Sequence, residues 1–163
     1  MKKILLIIVG VLIIFGFYSK NEVLRIRVLA NSNSEYDQRI KKEVVKIVQN
    51  EFKNILKDVK NINEAREQIS SNLDNVSNKI DTFLTTNNVS YKSKSNFGLN
   101  YFPAKKYKGK NYSEGYYESV LITLGNGEGD NWWCILFPSV CLNGKENVKY
   151  KSFLETIVNK ILK

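Results

Sequence analysis

Two apolar stripes at three-and-four spacing lie back to back between Tyr36 and Leu84, and beyond Asn87 that period gives way to Ser, Asn, Tyr and Gly among β-branched and aromatic residues. A chain so divided cannot alternate strand and helix along its length. It segregates two long helices from a run of strands. The first stripe is Tyr36, Ile40, Val44, Ile47, Val48, Phe52, Ile55, Leu56 and Val59, with lysines and glutamates between. Just ahead of it, Ser34-x-x-Asp37 resembles a capping box, with the serine accepting a backbone N–H and the carboxylate sitting in the positive first turn. After KNIN the second stripe runs Ala65, Ile69, Leu73, Val76, Ile80, Phe83 and Leu84, and Asn63 is the expected cap.

The helices are framed by strands. In VLRIRVL (Val23 to Leu29) Arg25 and Arg27 alternate with Leu24, Ile26 and Val28, which predicts a strand with one buried face. VSYKSKSNFGLNYF is expected as one or two strands, ESVLITLG as another and NWWCILF as the last, with Lys- and Tyr-rich turns between. The glycine run Gly125-Asn-Gly-Glu-Gly129 leads into WWCILF rather than a helix, so it is expected as a hairpin turn and not a phosphate loop. A closing helix is expected after Ser152, with Phe153, Leu154, Ile157, Val158, Ile161 and Leu162 on its apolar face. The expected fold is α+β: a mostly antiparallel sheet with an N-terminal strand, two amphipathic helices, a strand-rich second half and a C-terminal helix. Residues 21–163 form a single domain on this reading.

Residues 1–20 are set apart as a signal peptide or membrane anchor. Lys2 and Lys3 precede an uncharged run from Ile4 to Tyr18. As a helix it would reach roughly 22 Å, short of a hydrocarbon core of about 30 Å, which fits an export signal better than a span. GFYSKNE lacks the small-x-small pattern of a cleavage site, so removal and retention both stay open. Without residues 1–18 the chain keeps 23 basic against 16 acidic side chains. Such a domain favours anionic surroundings such as a membrane surface or an acidic protein face; nucleic acid is not an expected partner outside the cell.

The chain has no histidine, which removes Ser-His-Asp and Cys-His catalysis and most zinc sites. Carboxylate pairs such as Glu114 with Glu118, or Glu128 with Asp130, leave a wall-directed hydrolase as an alternative, and a basic membrane-surface module as another. No cofactor, metal or catalytic residue is singled out. Cys134 and Cys141 are too far apart in sequence for a Cys-x-x-Cys redox pair. In an exported chain a disulfide is favoured, provided the backbone reverses near Pro138, with free buried thiols as the other reading. The segment Asp130 to Cys141 also carries both tryptophans. On one strand Trp132, Cys134 and Leu136 face one way and Trp133, Ile135 and Phe137 the other, so the strand is either buried on both faces or offers one to a partner.

RVLANSNSEYDQRIKKEV (Arg27 to Val44), Phe102-Pro103, EGYYES (Glu114 to Ser119) and LGNGEGDNWWCILFPSVC (Leu124 to Cys141) resemble the stage II sporulation protein R family of endospore-forming bacteria. The resemblance implies a non-enzymatic signalling protein. It would be made in the forespore, exported to the space between the two membranes, and would activate a membrane-embedded aspartic protease that processes the sigma-E precursor. The family pattern falls on Arg27, Ala30, Ser32, Ser34, Asp37, Gln38 and Lys41, and on Gly125, Gly127, Gly129, Asn131, Trp132, Trp133, Cys134, Phe137, Pro138 and Cys141. Of these, Arg27, Asp37, Gln38, Lys41, Asn131, Trp132, Trp133, Phe137 and Pro138 are the candidate partner contacts. Trp133 is expected on the partner side and Trp132 inside.

Overall fold

The computed structural model describes residues 23–107 and 110–138. Residues 1–20, expected as a signal peptide or membrane anchor, the helix expected after Ser152, and Cys141 lie outside these residues. The order is β1 (Leu24–Leu29), α1 (Glu35–Ile55), α2 (Ile62–Thr86), β2 (Ser93–Phe102), β3 (Lys105–Tyr107), β4 (Lys110–Tyr112), β5 (Gly115–Leu124) and β6 (Asn131–Phe137). The α+β class holds, and VSYKSKSNFGLNYF yields a single strand, β2.

The main sheet has the order β2-β5-β1-β6, and β3 pairs with β4 in a separate hairpin. Here the sequence reading needs correction. β2–β5 and β1–β6 are antiparallel, but β1 lies parallel to β5 in the middle, so the sheet is mixed rather than mostly antiparallel. Alternation along a strand reports which face is buried and is silent on the direction of its neighbour. The glycine run is likewise not a hairpin turn. β5 and β6 flank β1 without touching in the ladder, so residues 125–130 cross over the C-terminal end of β1.

One face of the sheet meets the helix pair. Leu24, Ile26 and Val28 of β1, Val120, Ile122 and Leu124 of β5, and Cys134 and Leu136 of β6 pack with Val44, Val48, Phe52, Ile69, Val76 and Ile80. Each of the largest of these buries about 1.5–3 kcal/mol worth of apolar side chain, which places the bulk of the stability in this layer. Ser34 caps α1 as expected, accepting from the Asp37 N–H at 3.1 Å. The cap of α2 is Asn61 rather than Asn63: its side-chain oxygen accepts from the N–H groups of Asn63 and Glu64. Arg66 of α2 ties the helix layer to the sheet through Glu118 of β5, with contacts of 2.8 and 3.0 Å from its Nε to the two carboxylate oxygens.

The opposite face carries Arg25, Arg27, Ser119, Leu121, Trp133 and Ile135, which are paired across the ladder and therefore point the same way. No helix covers it among the described residues. One buried face was expected for β1, yet Arg25 on the other face is only 9% exposed. The β3–β4 hairpin accounts for part of that cover, since Tyr112 packs edge-on against Trp133 at 5.2 Å and lies beside Arg25.

Candidate functional site

Where β1 ends, residues 30–34 turn into α1 beneath the glycine loop, and the two segments are sewn together by backbone and side chain. Glu128 N–H donates to Asn31 O at 3.1 Å, Gly129 N–H to Ala30 O at 2.9 Å, Asn126 N–H to Asn31 Oδ1 at 3.0 Å, and Asp130 N–H to Asn33 Oδ1 at 2.6 Å. So close an approach has no room for side chains. A Cβ on Gly129 would collide with the Ser32 carbonyl, and Gly125, at φ +54°, faces the Asn31 amide.

Asp37, in the first turn of α1, fixes the lower strand of this seam. Its carboxylate accepts from Asn31 Nδ2 at 2.9 Å, Ser32 Oγ at 2.6 Å and the Tyr91 hydroxyl at 2.7 Å. Burial pushes its pKa up, but the hydrogen bonds of Ser32, Tyr91, Asn31 and Ser34 outweigh burial and hold it below the ordinary value. The Tyr91 hydroxyl is driven the other way, upward, by burial first and then by its bond to Asp37. Gln38 donates to Ser32 O at 3.0 Å and Asn33 Oδ1 at 3.2 Å. Lys41 bonds the Gln38 carbonyl oxygen and reaches Asp130 O at 2.8 Å, joining α1 directly to the start of β6.

This seam forms the rim of a cavity of about 440 Å³ on the helix-free face, lined by Arg25, Arg27, Phe102, Pro103, Tyr112, Glu128, Gly129, Asp130, Asn131 and Trp133. Two guanidiniums form its floor. The Arg25 guanidinium carbon sits 3.4 Å from the Tyr117 ring centre, 5.6 Å from Phe102 and 5.8 Å from Tyr112. Arg27 donates to Tyr101 O at 3.2 Å, and with the Asn131 amide oxygen turned toward it, donates from Nε at 3.1 Å and Nη2 at 2.9 Å. Burial draws the pKa of both arginines down, yet both remain cationic at any ordinary pH. The arrangement offers positive charge and flat aromatic surface, a combination suited to binding.

The predicted residues thus divide. Arg27, Asn131 and Trp133 line the cavity. Asp37, Gln38 and Lys41 build its rim from behind, with Asp37 and Lys41 only 5% and 8% exposed. Trp132 and Phe137 pack against the main core, and Pro138 follows β6. Arg25, Phe102, Tyr112 and Tyr117 were not among the expected site residues; the signals available were the spacing of Arg25 and Arg27 at i and i+2 and the family-like stretches that hold Phe102 and Tyr117. Of the carboxylate pairs, Glu118 is engaged by Arg66 and Glu114 accepts from the Tyr101 hydroxyl at 2.9 Å, while Glu128 and Asp130 sit at the cavity rim. No cysteine among the described residues is free. Among these residues, too, no helix is long and apolar enough to cross a membrane.

A family profile described as stage II sporulation protein R matches residues 20–147, which include both segments of the seam and all of the cavity lining. The chain is similar to the stage II sporulation protein R of Bacillus subtilis (strain 168), with 38% identity over 121 residues. That alignment covers 74% of this chain and 54% of the relative, so the chain spans about half the length of the curated protein it matches. No solved structure matches it.

Proposed function

The chain belongs to the stage II sporulation protein R family, and on that premise we propose that it is an exported sporulation signal that docks on a membrane-embedded aspartic protease and activates it toward the sigma-E precursor. Export from the forespore to the space between the membranes, by way of residues 1–20, is part of this proposal. The observation that carries it is the seam. Two blocks of family-pattern residues, Arg27 to Lys41 and Gly125 to Trp133, come together to frame one Arg- and Trp-lined cavity. Tryptophan and arginine are among the residues that most often dominate binding energy at interfaces. A docking protein of this kind acts by binding the active state of its receptor more tightly than the inactive one.

Adding the purified chain to membrane vesicles that hold the protease and its substrate tests the reading. Cleavage that depends on the added chain is the expected result. Turnover of a wall polymer by the chain alone, with no effect on the protease, would favour the carboxylate hydrolase and overturn it. The proposal also includes a Cys134–Cys141 disulfide, supported by the buried position of Cys134 and by the oxidising setting that export would supply.

A further inference from the structure

Arg25 is the least expected residue of the cavity. Its side chain is 9% exposed, its Nε has no hydrogen-bond partner, and no carboxylate lies within 4.0 Å of it among the described residues. Arg27, two residues along on the same face, is held by the neutral oxygens of Tyr101 and Asn131. Among the described residues, then, buried Arg25 and half-buried Arg27 share one face with no carboxylate within 4.0 Å of either guanidinium. Buried charge in that state is costly unless something of opposite sign completes it.

The surroundings say what that something is. Aromatic rings lie over the Arg25 guanidinium, Tyr117 nearest, so a ligand would meet its remaining N–H groups rather than its faces. Guanidinium N–H groups match a planar carboxylate in a two-pronged fork. Glu128 and Asp130 at the rim repel a dianion more strongly than a monoanion, which disfavours phosphate. The aromatic walls of Tyr112 and Trp133 suit the methylene stem of a side chain, and a cavity of about 440 Å³ has room for one.

We propose that this cavity is a carboxylate-binding site that takes an acidic side chain from an extended partner segment against Arg25 and Arg27. The proposal deepens the docking reading above, and it rests on that reading only for the identity of the partner.

The test uses the full chain in nonionic detergent, with tryptophan emission followed during titration. The probe is the blocked peptide acetyl-Gly-Glu-Gly-amide, compared with acetyl-Gly-Gln-Gly-amide, inorganic phosphate and, with the detergent removed, vesicles containing phosphatidylglycerol. The expected result is a saturable change with the Glu peptide and binding roughly tenfold or more weaker for the Gln peptide. Arg25→Met and Arg27→Met should each abolish the preference for Glu, with folding checked by circular dichroism. Equal response to the two peptides in the unaltered chain overturns the proposal whatever the variants do. An Arg25-dependent response to phosphate or to vesicles but not to the Glu peptide also overturns it, and reassigns the pocket to a phosphate group. Loss of peptide binding with protease activation intact would remove this inference alone; intact peptide binding with no activation would instead remove the proposed function.

Discussion

At the scale of single residues, Asp37 bears the heaviest structural duty. Three side-chain donors converge on its two oxygens, and an amide in its place would present an NH2 group to at least one of them. Asp37→Asn should therefore lower stability by about 1–3 kcal/mol in urea titrations, with Asp37 itself no longer titrating. The pH dependence has a definite sign. Because the folded-state pKa lies below the ordinary 3.8, the stabilisation from Asp37 is fully present above that value and is lost as pH falls through the depressed one. The unaltered protein should lose urea resistance below about pH 4 more steeply than Asp37→Asn; parallel curves would mean the carboxylate is not the acid-sensitive group. Part of this was legible beforehand. Ser34 and Asp37 stand at capping-box spacing, but Tyr91 is far away in sequence, and no local pattern announces that its hydroxyl closes the cluster. The cover over Arg25 was illegible for a similar reason: an arginine in an alternating strand correctly signals the face away from the core, and only the aromatic residues of β2, β4 and β5 reveal that this face is itself covered.

Among the elements, β6 separates two tryptophans that are neighbours in sequence. Trp132 is opposite Val28 and packs on the helix-side core, while Trp133 is opposite Arg27 and lines the cavity. Their substitution should part company accordingly. Trp132→Ala is expected to cost about 2–3 kcal/mol, somewhat under the range for a fully buried tryptophan because the side chain is only half buried. Trp133→Ala gives up at least its edge-on contact with Tyr112, about 0.5–1.5 kcal/mol, while protease activation should fall at least as far as in any stable variant. Melting curves paired with the activation assay decide it; normal activation by folded Trp133→Ala would exclude this face from docking. Helix faces, and the faces of β6 from Trp132 to Leu136, were readable from period alone; Phe137, expected beside Trp133, instead pairs with Leu24 across a register shift and packs on the core, and the β3–β4 hairpin lay where only turns were expected. Strand order was not readable either. Whether Gly125–Gly129 turns back beside β5 or crosses over β1 depends on Asn31, Asn33 and the Ala30 carbonyl waiting beneath it, contacts that link residues nearly a hundred positions apart.

For the molecule as a whole, the described residues form a two-layer core with one helix-free sheet face, organised around a joint between residues 30–41 and 126–130. The proposed Cys134–Cys141 bond belongs to this scale, since it would tie residues beyond β6 to the core. Intact mass before and after reduction tests its existence, and Cys141→Ser should then lower stability by about 2–3 kcal/mol. An unchanged mass on reduction would leave Cys134 a core thiol. The crossover over β1 carries a consequence in time as well as in space. Among the described residues β1 finds its ladder partners only in β5 and β6, so the first of the described strands is satisfied by the last two of them. A chain threaded N-terminus first through a membrane would hold Arg25 and Arg27 on an unpaired strand until residues 131–137 had followed. On the proposed export route the docking face would become readable only once residues 131–137 had crossed, so a chain stalled earlier would carry no message.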